Sequence, residues 1–177
     1  MDQSGRHPEP GQQAESGRLA DRLPEREPAD QQVAVGAVGG LAAGAAMWLV
    51  AMIAARGDLG FTAPLRLLAA SLLGEAALDT GTSFGPLALG ALLAAVGSVL
   101  FGLVYSSILP EGAEVFWAAL FGAVYAVALW AVTWWVLIRV LDPILFVSTG
   151  AAHMLALNLV YGVVLGLLVP TLRKVLP

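Results

Sequence analysis

The side chains of this sequence able to carry chemistry are few, and they concentrate beside the ends of its apolar stretches. Arg66, Glu75, Arg139, Asp142 and His153 form the main group, with Arg56, Asp58 and Asp79 beside them. A histidine has a reference pKa near 6.5, so next to a carboxylate it can act as a protonation switch. If its helix starts after Ser148 and Thr149, His153 lies about one turn deep, in reach of Asp142 or Glu75; if the helix starts at Pro143 with Asp142 as its cap, His153 lies about 15 Å in, as a relay or ligand candidate. A neutral imidazole satisfied by one interhelical hydrogen bond is the plainer alternative. Charges gathered at one face of a membrane bundle could also form a vestibule for ions or small solutes, although the apolar stretches lack the intramembrane carboxylate a proton-coupled carrier usually uses.

Other chemistries find no support. A metal site needs several His, Cys or carboxylate ligands at helical spacing, whereas His153 has no carboxylate three or four residues on, and the chain has no cysteine. There is no GxSxG elbow, no HExxH and no glycine-rich phosphate loop. The sequence therefore predicts no catalytic residue, metal or cofactor, and no enzyme.

The surroundings of these residues are hydrophobic throughout. Of 177 residues 58% are hydrophobic and 12% charged, where soluble domains carry about 25% charged residues. Four of the nine basic residues and seven of the thirteen acids lie in residues 1–32, so the remainder is more apolar still. The composition excludes a water-soluble globular protein, and the net charge of −4 argues against nucleic acid as a partner. The expected partner is the lipid bilayer.

Residues 1–32, rich in Gln, Pro, Gly, Glu and Arg, bury too little apolar surface to offset chain entropy and are expected to be a disordered tail. Residues 33–177 read as one all-α membrane domain with spans over about 33–55, 86–109, 115–138 and 149–169, each long enough for a ~30 Å hydrocarbon core. Pro86 stands in a first turn, where its missing donor is harmless, and Pro110 and Pro170 are expected to end helices. Only residues 111–114 separate spans two and three, which predicts an antiparallel hairpin. Residues 62–78 are helical in pattern but carry Arg66 and Glu75, nine positions apart on opposite faces. Burying either charge would cost ~2.5 to 3.5 kcal/mol or more, so an interfacial or re-entrant helix is expected.

Helices in lipid associate through close packing and interhelical hydrogen bonds, which favours small residues at every fourth position. Each span has such a seam: Gly36, Gly40 and Gly44; Gly90, Ala94, Ser98, Gly102 and Ser106; Ala118, Gly122 and Ala126; Gly162 and Gly166. Ordinary packing within the bundle is the plain use, a dimer face or a pathway the alternative. Asn158 shares a face with Gly162 and Gly166 and is expected to donate across the seam. Trp117 is expected at one membrane interface, Trp134 and Trp135 at the other.

With both termini in the cytoplasm, Arg18, Arg22, Arg26, Arg173 and Lys174 lie inside, against Arg56, Arg66 and Arg139 outside, which favours that orientation. The segments PLRLLAASLLG, FGLVYSSILP, WAALFGAVYAVALW and AAHMLALNLVYGVVLGLLVP resemble those of small bacterial four-span inner-membrane proteins of YagU-like layout. The resemblance covers roughly residues 33–170 and implies a four-helix inner-membrane fold; it brings no activity or catalytic residue. The expectation is a multi-pass, non-enzymatic structural or interaction protein, a homo-oligomer or a subunit of a larger membrane complex, with a small-solute or ion permease as the alternative.

Overall fold

A computed structural model describes residues 29–57, 60–78, 84–138 and 150–176, without the side chains of 136–138. Within them the protein is helical and contains no strand. Four long helices, α1 (Ala29–Ala55), α3 (Gly85–Ile108), α4 (Val115–Val132, its apolar span running on to Trp135) and α5 (Ala151–Val175), are apolar and long enough to cross a membrane. A shorter α2 (Ala63–Leu73) continues into a 3₁₀ turn, Gly74–Leu78. The protein is an all-α membrane bundle.

Local chemistry explains most boundaries. Pro64 and Pro86 stand in the first turns of α2 and α3, where no intrahelical donor is required. Gly74 ends α2 at φ +67°, a conformation that side-chain-bearing residues rarely adopt. At about 16 Å α2 is too short to cross a membrane, and its buried Leu65, Ala69 and Ala70 turn inward. The main chain of Leu65 lies directly on Gly90 of α3, closer than any side chain there would allow. The link from α3 to α4 turns at Gly112, with φ +74°.

Three boundaries differ from expectation. The first helix starts at Ala29, so residues 29–32 belong to α1 and not to the tail; the remainder of the tail lies outside the described residues. Span three is α-helical only to Val132 and closes as a π-helical turn, Thr133–Ile138. Pro170 does not end the last span: it is buried inside α5, which runs on to Val175. A proline removes one main-chain donor and crowds the carbonyl four residues earlier, here that of Gly166, yet the helix continues and carries Arg173 to the end of α3.

The spans alternate in direction. Gly36 of α1 lies against Ser106 of α3 and Gly44 against Ser98, an antiparallel register. Gly39 of α1 faces Val169, Leu165 and Leu172 of α5, and Gly162 and Gly166 of α5 face Gly122 and Ala118 of α4. Neighbours therefore run α3, α1, α5, α4 around the bundle. One end, here the terminal end, holds the start of α1, the end of α5 and the turn from α3 to α4. The other, the distal end, holds α2 and the start of α5. The interior is filled by Val35, Ala43, Tyr105, Leu109, Ala118, Tyr161, Leu165 and Val169.

Candidate functional site

The seams are consumed inside the protein. Every seam residue named from the sequence is buried: Gly36, Gly40 and Gly44; Gly90, Ala94, Ser98, Gly102 and Ser106; Ala118, Gly122 and Ala126; Gly162 and Gly166. A Cβ on Gly102 would sit 2.5 Å from the Cα of Gly40, and one on Gly166 2.7 Å from the Cα of Ala119. Main chains in such contact gain dispersion and Cα–H···O contacts, which are the means of association available in lipid.

Three tyrosines occupy the interior where no glycine does. Tyr105 of α3 donates to the carbonyl of Ala118 in α4 at 2.7 Å, and Tyr125 of α4 donates back to the carbonyl of Phe101 in α3 at 2.9 Å. Tyr161 of α5 donates across the bundle to the carbonyl of Ser98 in α3 at 2.8 Å. The Tyr105 and Tyr125 rings lie 5.4 Å apart, tilted at 58°, and Phe121 lies 5.9 Å from Tyr105, within the range of favourable aromatic pairs. Each phenol is thus apolar along its ring and satisfied at its tip.

Ser98 and Asn158 are satisfied locally. Ser98 Oγ donates to the Ala94 carbonyl and Asn158 Nδ2 to the Met154 carbonyl, each four residues back in its own helix. The bond from Asn158 therefore does not cross the seam as its sequence position suggested, although the residue is buried on the packed face. Back-bonding of this kind hides a polar group without asking for a partner helix.

A second polar cluster closes the terminal end. The last carbonyls of a helix have no intrahelical donor. At the end of α3 Arg173 supplies donors: Nη2 to the carbonyl of Ser106 at 2.7 Å, and Nη1 to those of Pro110 at 3.2 Å and Leu109 at 3.4 Å. The guanidinium also meets the negative end of the helix dipole. Gln32 Nε2 donates to the Ser106 carbonyl at 3.1 Å, and Ser106 Oγ is within donor reach of the Leu103 carbonyl in its own helix at 3.0 Å and of the Gln32 carbonyl at 3.2 Å. Gln31 Nε2 reaches the carbonyls of Arg173 and Leu176 at the end of α5. The residues assigned to the tail are therefore caps for two other helices.

The charged group expected at one end is only partly visible. Arg66, half-buried on α2, Glu75, exposed in the 3₁₀ turn, and His153, exposed in the first turn of α5, all lie at the distal end. Arg139 and Asp142 fall outside the described residues. With α5 starting at Ala151, His153 takes the shallow of its two placements and does not approach the midplane. Among the described residues no three His, Asp or Glu side chains gather as a metal site would require. Trp117 and Trp135 are exposed, as interface residues are, whereas Trp134 is buried at 8% exposure and is no belt residue. Trp130 ties the two distal helix ends together, Nε1 donating to the Ala151 carbonyl at 3.0 Å.

Sequence reasoning missed Tyr105, Tyr161, Gln31, Gln32 and the capping by Arg173. The tyrosines had a signal: Tyr105 follows Gly102 by three positions and Tyr161 follows Asn158 by three, so each lies on its seam face. The caps had none, because which helix ends meet is a tertiary fact. No protein-family model, curated protein or solved structure matches this chain.

Proposed function

We propose that this protein is a non-enzymatic structural or interaction subunit of a bacterial inner membrane, working as a homo-oligomer or within a larger membrane complex. One observation carries the reading: among the described residues six polar side chains placed between the helices, Ser98, Tyr105, Ser106, Tyr125, Asn158 and Tyr161, each donate to a main-chain carbonyl. No carboxylate, lysine or histidine lies in the middle turns of a span. Transporters and pumps use intramembrane ionisable groups to bind and relay. The permease alternative draws less support, because Glu75 and His153 are exposed at the rim and not turned between helices.

The basic residues support cytoplasmic termini: Arg173 and Lys174 lie at the terminal end, to which the Arg18, Arg22 and Arg26 segment connects. The four-span layout also supports kinship with the YagU-like proteins that the segments resemble.

Purification at native expression level in mild detergent, followed by blue-native electrophoresis and crosslinking, tests the reading. The expected result is a species larger than one 18.3 kDa protomer in its detergent belt, or a stoichiometric partner. A protomer-sized species without a crosslinked partner overturns it. For orientation, alkaline phosphatase fused after Pro177 is expected to stay inactive, and an active fusion reverses the assignment.

A further inference from the structure

We infer that the boundary between α3 and α4 is a lateral gate of the bundle, latched by the reciprocal hydrogen bonds of Tyr105 and Tyr125. The inference does not rest on the proposed function. Every other neighbouring pair of spans is joined through glycine. Gly36 and Gly40 of α1 lie against the main chain of α3, Gly122 of α4 is locked with Gly162 and Gly166 of α5, and Gly39 of α1 takes the side chains of Leu165 and Val169 of α5. The close contacts of the α3 glycines point elsewhere: Gly102 to α1, Gly90 to α2, and Gly97 to nothing within 4 Å. α3 and α4 meet instead through phenol rings, two hydroxyl-to-carbonyl bonds and Phe121.

The two kinds of contact respond differently to motion. Interlocked backbones separate only when whole helices move, whereas a tyrosine leaves its acceptor by a rotation about its own side-chain bonds. The accepting carbonyls keep their helical donors when it leaves, so opening strands no backbone group in lipid. Two features place the hinge at the terminal end. Residues 109–114 link α3 to α4 there through Gly112 at φ +74°, and Arg173 of α5 holds the carbonyls of Leu109 and Pro110. Towards the distal end the helices follow mainly different partners: α3 is bound to α2 at Gly90 and to α1 at Ser98, and α4 follows α5 through Ala126 and Trp130, with one bond, from Tyr161 to the Ser98 carbonyl, tying α5 to α3 there. The gate therefore opens at the distal end, to the lipid phase, with α4 parting from α3 while it stays paired with α5.

Double electron–electron resonance on the full chain in nanodiscs tests this, and the absence of cysteine gives a clean background. Spin labels are placed at Val96→Cys with Val127→Cys across the gate, at Val38→Cys with Leu100→Cys across α1 and α3, and at Val124→Cys with Val163→Cys across α4 and α5; all six positions are exposed. The gate pair is expected to show a broader distance distribution than either control, with a longer component. The Tyr105→Phe, Tyr125→Phe double variant is expected to raise the ratio of that component to the short one roughly five- to tenfold, the loss of two interhelical hydrogen bonds of average strength in a membrane. A gate distribution no broader than the controls overturns the inference in the unaltered protein, whether or not the double variant folds. Equal broadening of all three pairs in the variant overturns it as well, since that marks a general loosening.

Discussion

Gly122 and Gly162 each stand where the other's carbonyl oxygen leaves no room for a side chain: a Cβ built on either would overlap that oxygen, and one on Gly162 would also lie 2.6 Å from the Cβ of Ala126. The α4–α5 pair therefore depends on the absence of two methyl groups. Replacement of either glycine by leucine is expected to cost about 1 to 3 kcal/mol or more through overpacking, read as a lower midpoint of thermal or denaturant unfolding in detergent. Gly97 provides the control, because nothing lies within 4 Å of its Cβ position. Gly97→Ala is expected to be neutral or to stabilise by about 0.5 to 1 kcal/mol through helix propensity, and an equal loss at Gly97 would refute the packing account.

Ser98 separates polarity from size. Its hydroxyl serves only its own helix, yet it lies directly against Gly44. Ser98→Ala is expected to leave stability within about 0.5 kcal/mol, whereas Ser98→Leu is expected to split α1 from α3 and lower stability about as much as the glycine variants. The same unfolding measurement reads both, and a large loss in Ser98→Ala would mean that the hydroxyl has a role beyond Ala94.

Much of this fold is legible in the sequence because lipid imposes simple demands. A charge-free run longer than 20 residues is a span, and small residues at every fourth place mark the faces that touch; α1, α3 and the seams follow directly. The boundaries that differ depend on tertiary partners. Gln31 and Gln32 look like tail until α3 and α5 end beside them, and Pro170 looks like a stop although α5 runs on past it to Val175. Asn158 looks like a bridge, but its amide donates to a carbonyl four residues back in its own helix. For the charged group, the spacing placed Arg66, Glu75 and His153 at one end, yet not which way each side chain faces.

Arg173 binds by its shape as well as its charge. Three carbonyls at the end of α3 are reached from two guanidinium nitrogens, a fork that lysine cannot copy. Arg173→Gln is expected to lower stability by about 1 to 3 kcal/mol, and Arg173→Lys to recover less than half of that loss. Hydrogen exchange at the end of α3 should rise in both. Full recovery with lysine would reduce the residue to a simple counter-charge for the helix dipole.

Tyr161 links α5 to α3 across the centre through one hydroxyl. Tyr161→Phe keeps the ring and is expected to cost about 0.5 to 1.5 kcal/mol, with the oligomeric state unchanged on blue-native electrophoresis because the residue is buried within the protomer. Tyr161→Ala is expected to cost about 3 to 5 kcal/mol, the range for removing a large buried aromatic side chain. Equal effects from the two variants would show that the ring contributes nothing beyond its hydroxyl.

The neighbour order α3, α1, α5, α4 has a consequence for biogenesis. A ribosome delivers α1 first and α5 last, yet α5 supplies the partner of α1 on one side and of α4 on the other. When α3 emerges it can dock on α1 at once, but α4 enters the bilayer with its glycine face bare and must wait for the final helix. Until then the membrane insertion machinery, or lipid, has to cover Gly122, and a chain cut short before residue 151 would leave that face bare for quality-control proteases to find.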